Sequence, residues 1–176
     1  MLCALSELHI WSRTRLYADR FAEWASDETK AAIRVHNFVR EALAEADIVC
    51  RVTAASVPIV ERDAIQAECH LNAVGSFRPN VRELNSDTML QCQLIFDSRA
   101  SALSEFGDVL VPLKENKMSE ASIAQLRDVV MSQVGGRTQT DEVIVFKSLG
   151  LAVEDLTAAR TVYDRAIEQG VGSKIE

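Results

Sequence analysis

The sequence predicts an α/β fold built on a parallel sheet, and three observations carry that reading. Short β-prone apolar runs alternate with segments of helical periodicity along most of the 176 residues, the order that βαβ crossovers produce. The run Asp47-Ile48-Val49-Cys50-Arg51-Val52-Thr53 is apolar enough to be covered on both faces, as strands inside a parallel sheet are. No glycine precedes Gly75, although usage of roughly 7% would supply about five. A glycine-rich first turn, which brings phosphate to a helix N-terminus in many α/β proteins, is therefore expected to be absent.

The elements follow in order. Glu7–Trp11 reads as a short strand. A helix follows, with Tyr17, Phe21 and Trp24 at i, i+4 and i+7. Ala31–Val35 is a second strand and Val39–Ala46 a short amphipathic helix. After the Asp47–Thr53 strand, Pro58 marks a break, and Val60–Gln66 reads as a turn or short helix. Cys69–Val74 is a strand ended by Gly75, and Gln93–Asp97 is another. Ser98-Arg99 opens a helix to about Phe106, with Gly107 as its stop. Ser119 opens a further helix with Ile123, Leu126, Val129 and Val130 as its stripe and Gly135-Gly136 at its end. Lys114–Lys117 is a surface loop between these helices. Glu142–Lys147 is strand-like, and Ala152–Ile167 is a helix with Val153, Leu156, Ala159, Val162 and Tyr163 on one side.

Composition narrows the function classes. Hydrophobic residues make up 48% and charged residues 26%, a globular balance. A net charge of −7 and a pI near 5.1 disfavour nucleic-acid and anionic-membrane surfaces, which cluster Lys and Arg. No apolar run approaches the roughly 20 residues that cross a bilayer, and the first residues lack the basic and apolar regions of a secretory signal. The cysteines at 3, 50, 69 and 92 form no CxxC pair and read as buried free thiols in a reducing compartment. Cytoplasmic localisation is the expectation. His9, His36 and His70 lack metal-ligand spacing and read as structural, so no metal is expected.

Three segments together carry a more specific signal. They are Ile10-Trp11-Ser12-Arg13-Thr14, His70-Leu71-Asn72-Ala73-Val74-Gly75-Ser76-Phe77-Arg78-Pro79 continuing to Arg82-Glu83-Leu84, and Val145-Phe146-Lys147-Ser148-Leu149-Gly150-Leu151-Ala152-Val153-Glu154-Asp155. With the strands at 46–50 and 95–99 between them, they resemble the ornithine cyclodeaminase/mu-crystallin family over nearly the whole chain. The mu-crystallin (ketimine reductase) and bacterial cyclodeaminase-like branches stand nearest.

That resemblance implies a Rossmann-like, doubly wound parallel sheet that binds NAD(H) or NADP(H). Residues 1–150 would form a partial NAD(P)-binding domain. Residues 151–176 would form the C-terminal helix that, in the family, returns to an N-terminal substrate and dimerisation domain. The resemblance also implies that the first strand, its glycine-rich turn and that N-terminal domain are missing, Met1–Ser6 being the end of the crossover helix after the turn. With strand order 3-2-1-4-5-6, loss of strand 1 would split the sheet between the strands at 8–11 and 48–52, leaving apolar edges open. Strands 5 and 6, at 69–74 and 94–96, would lie side by side.

Site residues follow from the same resemblance. Ser12, Arg13 and Thr14 would hold the adenosine ribose end. Arginine among hydroxyls suits a 2′-phosphate through charge-assisted bonds, so NADP(H) is expected over NAD(H). The alternative is a solvated Arg13 near the cap of the next helix. Thr53 and Ala54 would lie beside the nicotinamide ribose and pyrophosphate, or simply form a strand-end turn. Asn72, Ala73, Val74 and Gly75 would pass under the nicotinamide, Gly75 allowing close approach or an unusual φ. Ser148 would contact the nicotinamide end, or serve only a strand-to-helix turn. Lys147 would pair with Glu154 or Asp155, whose other role is charge in a first helical turn. Arg78, Arg82 and Glu83 read as surface or interdomain ion pairs. The family's cyclodeaminases carry a proton-transferring aspartate after the glycine; Ser76-Phe77 stands there, which disfavours ornithine cyclisation. No catalytic residue is assigned.

The activity implied is NADPH-dependent reduction of a cyclic ketimine, a small imine or amino-acid-derived substrate, with little activity or cofactor binding from this chain alone. A homodimer or pairing with a full-length partner would complete it. The other reading is a non-catalytic binding protein of the mu-crystallin kind, binding thyroid hormone or a protein partner.

Overall fold

Two parallel sheets, rather than one, organise the computed structural model, which describes residues 4–75, 78–148, 150–173 and 175. The smaller sheet pairs β1 (Glu7–Ile10) with β2 (Ala32–Val35). They are joined by α1 (Arg15–Glu28), and α2 (Val39–Leu43) follows. The larger sheet contains β3 (Ile48–Arg51), β4 (His70–Ala73), β5 (Gln93–Phe96), β6 (Ala124–Gln125) and β7 (Ile144–Lys147), in the order β3-β4-β7-β5-β6. Among the described residues no strand joins β1 to β3, so the sheet divides where the strand-order argument placed the gap.

The order within the larger sheet departs from expectation at one place. β7 lies between β4 and β5, pairing Leu71 with Val145 and Leu94 with Val145 across successive ladders. Its residues explain the position. Val145 and Lys147 are fully buried and Ile144 nearly so, and a strand with neighbours on both sides and both faces covered takes the most continuous apolar run. β3, by contrast, pairs among the described residues only with β4. Ile48 and Cys50 are exposed, so the expectation that this strand is covered on both faces fails because it sits at an edge.

Three helical expectations also change. The residues from 119 to 134 do not form one helix. The Ser119 hydroxyl accepts from the Ala121 N–H at 3.2 Å to cap a single 3₁₀ turn. Ala124 and Gln125 then pair with Ile95 and Phe96, and only Leu126–Val130 is helical (α6). Ladder bonds to β5 outweigh the helical stripe, because propensity is a weak prior against tertiary context. Gly107 is not only a stop. α4 (Arg99–Glu105) ends before it, and it opens α5 (Gly107–Lys114). A Cβ there would collide with the Val81 carbonyl oxygen. The segment before β5, left without structure by its sequence pattern, contains α3 (Ser86–Leu90), capped by Asn85 accepting from the Thr88 N–H at 2.8 Å.

The core runs beneath the larger sheet through Leu71, Leu84, Phe96, Phe106, Val109 and Val145, with the Phe96 and Phe106 rings 5.7 Å apart. The apolar stripes of the two long helices lie outside it. In α1 the buried residues are Ala18 and Ala25, while Tyr17, Phe21 and Trp24 are exposed. α7 (Ala152–Gln169) buries none of its residues. Small residues let α1 approach β2 closely, which leaves its larger side chains pointing away.

Cys69, Cys92 and Cys50 are free thiols; Cys3 lies outside the described residues. Burial pushes the Cys69 and Cys92 thiols up to about 11, whereas Cys50 is exposed, contrary to expectation. The thiolate is the reactive species. At pH 8, iodoacetamide should therefore alkylate Cys50 while Cys69 and Cys92 stay unmodified until denaturant is added, as peptide mass spectrometry would read. Because both raised values favour the neutral thiol in the folded state, their contribution to stability is complete below the ordinary thiol range. It is lost as pH rises through about 11.

Candidate functional site

The carboxyl ends of β3, β4 and β7 converge on Gly75. In open parallel sheets ligands bind outside these strand ends. Gly75 has no positive φ. Its requirement is space: a Cβ would run into the Thr53 carbonyl oxygen and the Glu83 carboxylate. Close approach, not an unusual φ, is what this glycine permits. Val74 N–H donates to the Arg51 carbonyl at 3.1 Å, continuing the ladder beyond the strands. Thr53 Oγ1 is buried and has no hydrogen-bond partner among the described residues. Ala54 is exposed, Asn72 is half-buried on the strand face opposite Leu71 and Ala73, and Val74 is exposed.

Beneath this turn lies a buried ionic quartet. Glu83, Asp108 and Lys147 are fully buried and Arg51 is 3% exposed. Glu83 accepts from Arg51 Nη1 through Oε1 and from Lys147 Nζ through Oε2. Oε1 also accepts the Gly75 N–H at 2.9 Å. Lys147 Nζ stands 3.1 Å from Asp108 Oδ2 and 5.5 Å from the centre of the Phe106 ring. Asp108 Oδ1 accepts the backbone N–H groups of Glu83 and Leu84 at 2.8 and 2.9 Å. Two cations face two anions, which is the condition for keeping charge out of water. Burial still pulls the Arg51 guanidinium below its ordinary value, against Glu83 and Asp108, which raise it.

Two expectations are corrected here. Lys147 pairs with Glu83 and Asp108, not with Glu154 or Asp155, because its strand position points it into the core. Glu154 instead accepts the Leu151 N–H at 3.2 Å in the first turn of α7. Glu83 is not a surface ion-pair partner of Arg78 or Arg82, since it is fully buried.

Ser148 continues β7 on the other side of β4. Its N–H donates to the Ala73 carbonyl at 3.3 Å and its hydroxyl to Asp97 Oδ2 at 2.8 Å. Asp97 Oδ2 also accepts the Gly150 N–H at 3.1 Å, and Gly150 adopts φ +79°, which a glycine tolerates. The strand end is therefore tied to β4 and β5 together. Leu149 lies outside the described residues, as do Ser76 and Phe77, where the family's aspartate would stand.

The remaining expected residues sit apart, at the end of β1. Ser12 Oγ accepts the Thr14 N–H at 3.3 Å, and Thr14 precedes the first turn of α1 without capping it by its side chain. Arg13 is exposed and makes no ion pair among the described residues. Arg15 instead reaches Asp19 at 2.7 Å and Asn37 at 2.8 Å. Behind this end His9 and His36 stack with ring centres 4.9 Å apart and Nδ1 and Nε2 3.2 Å apart. No group of three metal-ligating side chains occurs among the described residues. A separate cleft of about 520 Å³ below β5 and β6, lined by Met89, Leu94, Met118 and Ile123, contains none of the expected residues.

The structure thus brings Thr53, Ala73, Gly75 and Ser148 to neighbouring strand ends and leaves Ser12, Arg13 and Thr14 on the other sheet. The sequence reading missed Arg51, Asp97 and Asp108. Arg51 had a signal: a cation inside an apolar strand run demands a buried anion.

Comparison with known proteins gives consistent matches. The model of the ornithine cyclodeaminase/mu-crystallin family matches residues 1–170. A delta(1)-pyrroline-2-carboxylate reductase of Bacillus cereus is 36% identical over 174 residues, covering 98% of this chain and 53% of that protein. The ketimine reductase mu-crystallin of Rattus norvegicus is 41% identical over 162 residues, covering 92% of this chain and 48% of the relative. The structure of Thermococcus litoralis delta(1)-pyrroline-2-carboxylate reductase in complex with NADH and L-proline superposes with a TM-score of 0.90 at 34% identity, over 97% of this chain and 53% of that one. The chain spans about half the length of the relatives it matches.

Proposed function

The chain belongs to the ornithine cyclodeaminase/mu-crystallin family, and on that premise we propose that it contributes the nicotinamide-cofactor half of a cyclic-imine reductase. The observation that carries this reading is the crowded strand-end turn at Gly75, where a Cβ has no room and the buried Thr53 hydroxyl has no partner. The missing Cβ lets the ends of β3 and β4 close on one another, and the Thr53 hydroxyl there keeps an unused donor. The reductase relatives support the chemistry, and the relative bound to NADH and L-proline supports the cofactor and the size of the product. In this reading Asn72, Ala73, Val74 and Gly75 form the floor, and Thr53, Ala54 and Ser148 border the nicotinamide end. The nicotinamide supplies the hydride. The chain's own part is to bind, orient and exclude water. The substrate is a small cyclic imine with a neighbouring carboxylate.

At the far end, Ser12, Arg13 and Thr14 hold the adenosine ribose. Arg13 has no carboxylate partner among the described residues, and the first turn of α1 has no side-chain cap, so a 2′-phosphate has a cation and backbone donors to meet. We therefore assign NADP(H) as the preferred form, although the Thermococcus litoralis relative holds NADH. Arg13→Ala should weaken NADPH binding about tenfold, the scale of a lost charge-assisted contact, and leave NADH binding within about twofold. Equal losses for both would refute the preference.

The edges of β1 and β3, unpaired among the described residues, and the unburied α7 favour a protein that works within a larger assembly, residues 151–176 packing on a partner domain. Turnover by these 176 residues alone should be slight. The test of the whole reading is titration with NADPH and NADH while following Trp11 fluorescence. Saturable quenching supports it, and no response at a large excess of either sinks it.

A further inference from the structure

We propose that Glu83 is a positioning residue for the nicotinamide end of the site, acting through the Gly75 backbone. The inference rests on the cofactor reading above. Gly75 lies beyond the end of β4, where no ladder bond among the described residues holds it. Its N–H is held by Glu83 Oε1 at 2.9 Å. The same oxygen accepts from Arg51, at the end of β3, and Oε2 accepts from Lys147, at the end of β7. One fully buried carboxylate thus fixes three adjacent strand ends. Glu83 is itself held from the far side, because Asp108 accepts its backbone N–H at 2.8 Å.

Stability alone asks only that the buried charges balance, and the two cations and two anions of the quartet do that. The bond to the Gly75 N–H is what a positioning role adds. Arg51 reaches the same carboxylate through Nη1 alone, its Nε and Nη2 having no hydrogen-bond partner among the described residues. Arg51 and the Gly75 N–H meet on one carboxylate oxygen, and a charge-assisted hydrogen bond is stronger than one between neutral groups. The cofactor ring would then meet a turn fixed in advance rather than one it must order, which reduces the entropic cost of binding.

The first measurement uses the unaltered chain. By hydrogen exchange, the Gly75 amide should be protected at least about a hundredfold relative to an unstructured peptide. Exchange at the unprotected rate overturns the proposal. The second uses two double variants in which Lys147 and Asp108 remain as a neutral pair. Arg51→Met with Glu83→Met removes the acceptor. It should speed Gly75 exchange and weaken NADH binding, each about tenfold, while ADP-ribose binding stays within about twofold. Arg51→Met with Glu83→Gln restores an acceptor oxygen and should return both quantities toward those of the parent. Parallel loss of NADH and ADP-ribose affinity, or unchanged Gly75 exchange in the folded Met variant, overturns the positioning role. If the parent binds neither ligand, the cofactor reading fails with the proposal's ligand half, while Gly75 exchange still decides whether Glu83 holds the turn.

Discussion

Lys147→Met should destabilise the chain by about 3–5 kcal/mol, the scale of breaking a buried ion pair from one side. The methionine fills similar space, so little of this loss comes from a cavity. It comes from charge. Glu83 would keep Arg51 in contact, but Asp108 would be left fully buried with two backbone N–H groups and without the Lys147 ammonium that touches it. Removing the second charge tests that account. Asp108→Asn keeps an oxygen able to accept from the Glu83 and Leu84 N–H groups. The double variant Lys147→Met with Asp108→Asn should therefore be more stable than the single variant, an opposite-sign coupling expected only within one network. Urea denaturation followed by circular dichroism measures both. A loss under about 1 kcal/mol for Lys147→Met, or simple additivity in the double variant, contradicts the buried-quartet description.

The quartet also marks where sequence reasoning reached its limit. Alternation of apolar runs and turns was enough to place β1, β2, β3, β4, β5 and β7, because period and β-branched content are local properties. The division of the sheet followed from the family resemblance, which implied a missing first strand, taken together with strand order. Two kinds of information were not local. Ala124 and Gln125 became a strand because Ile95 and Phe96 offered an open edge, although their own neighbourhood reads as helix. Lys147 was assigned neighbours in the sequence, Glu154 and Asp155, whereas its partners stand 64 and 39 residues away at Glu83 and Asp108. Which carboxylate meets a buried cation depends on crossover geometry that no spacing rule carries. The site was legible to the same degree: the resemblance singled out the glycine and the serine at the strand ends, but not the buried charges that hold them.

Gly75→Ala joins the two halves of this account and should affect both stability and ligand binding. The methyl group would have to displace either the Thr53 carbonyl, which is backbone, or the Glu83 carboxylate, which is held by Arg51 and Lys147. Neither is a flexible side-chain end that can swing aside. Overpacking of this kind costs about 1–3 kcal/mol, and more where neighbours cannot relax; because backbone φ at Gly75 is not positive, the whole cost is steric. Relaxation by moving the β4 turn would separate Gly75 from Glu83 and open the strand ends. Gly75→Ala should therefore lower the urea midpoint and abolish saturable NADPH quenching of Trp11. Gly136→Ala is the matched control: its nearest neighbour would be a Val129 side-chain carbon at 3.9 Å, an ordinary contact, and it should change neither quantity. If Gly75→Ala binds NADPH as the parent does, the cofactor does not lie against this turn, whatever the stability measurement gives. If it loses binding while remaining as stable as the Gly136→Ala control, the turn serves the ligand and the steric argument for the fold is wrong.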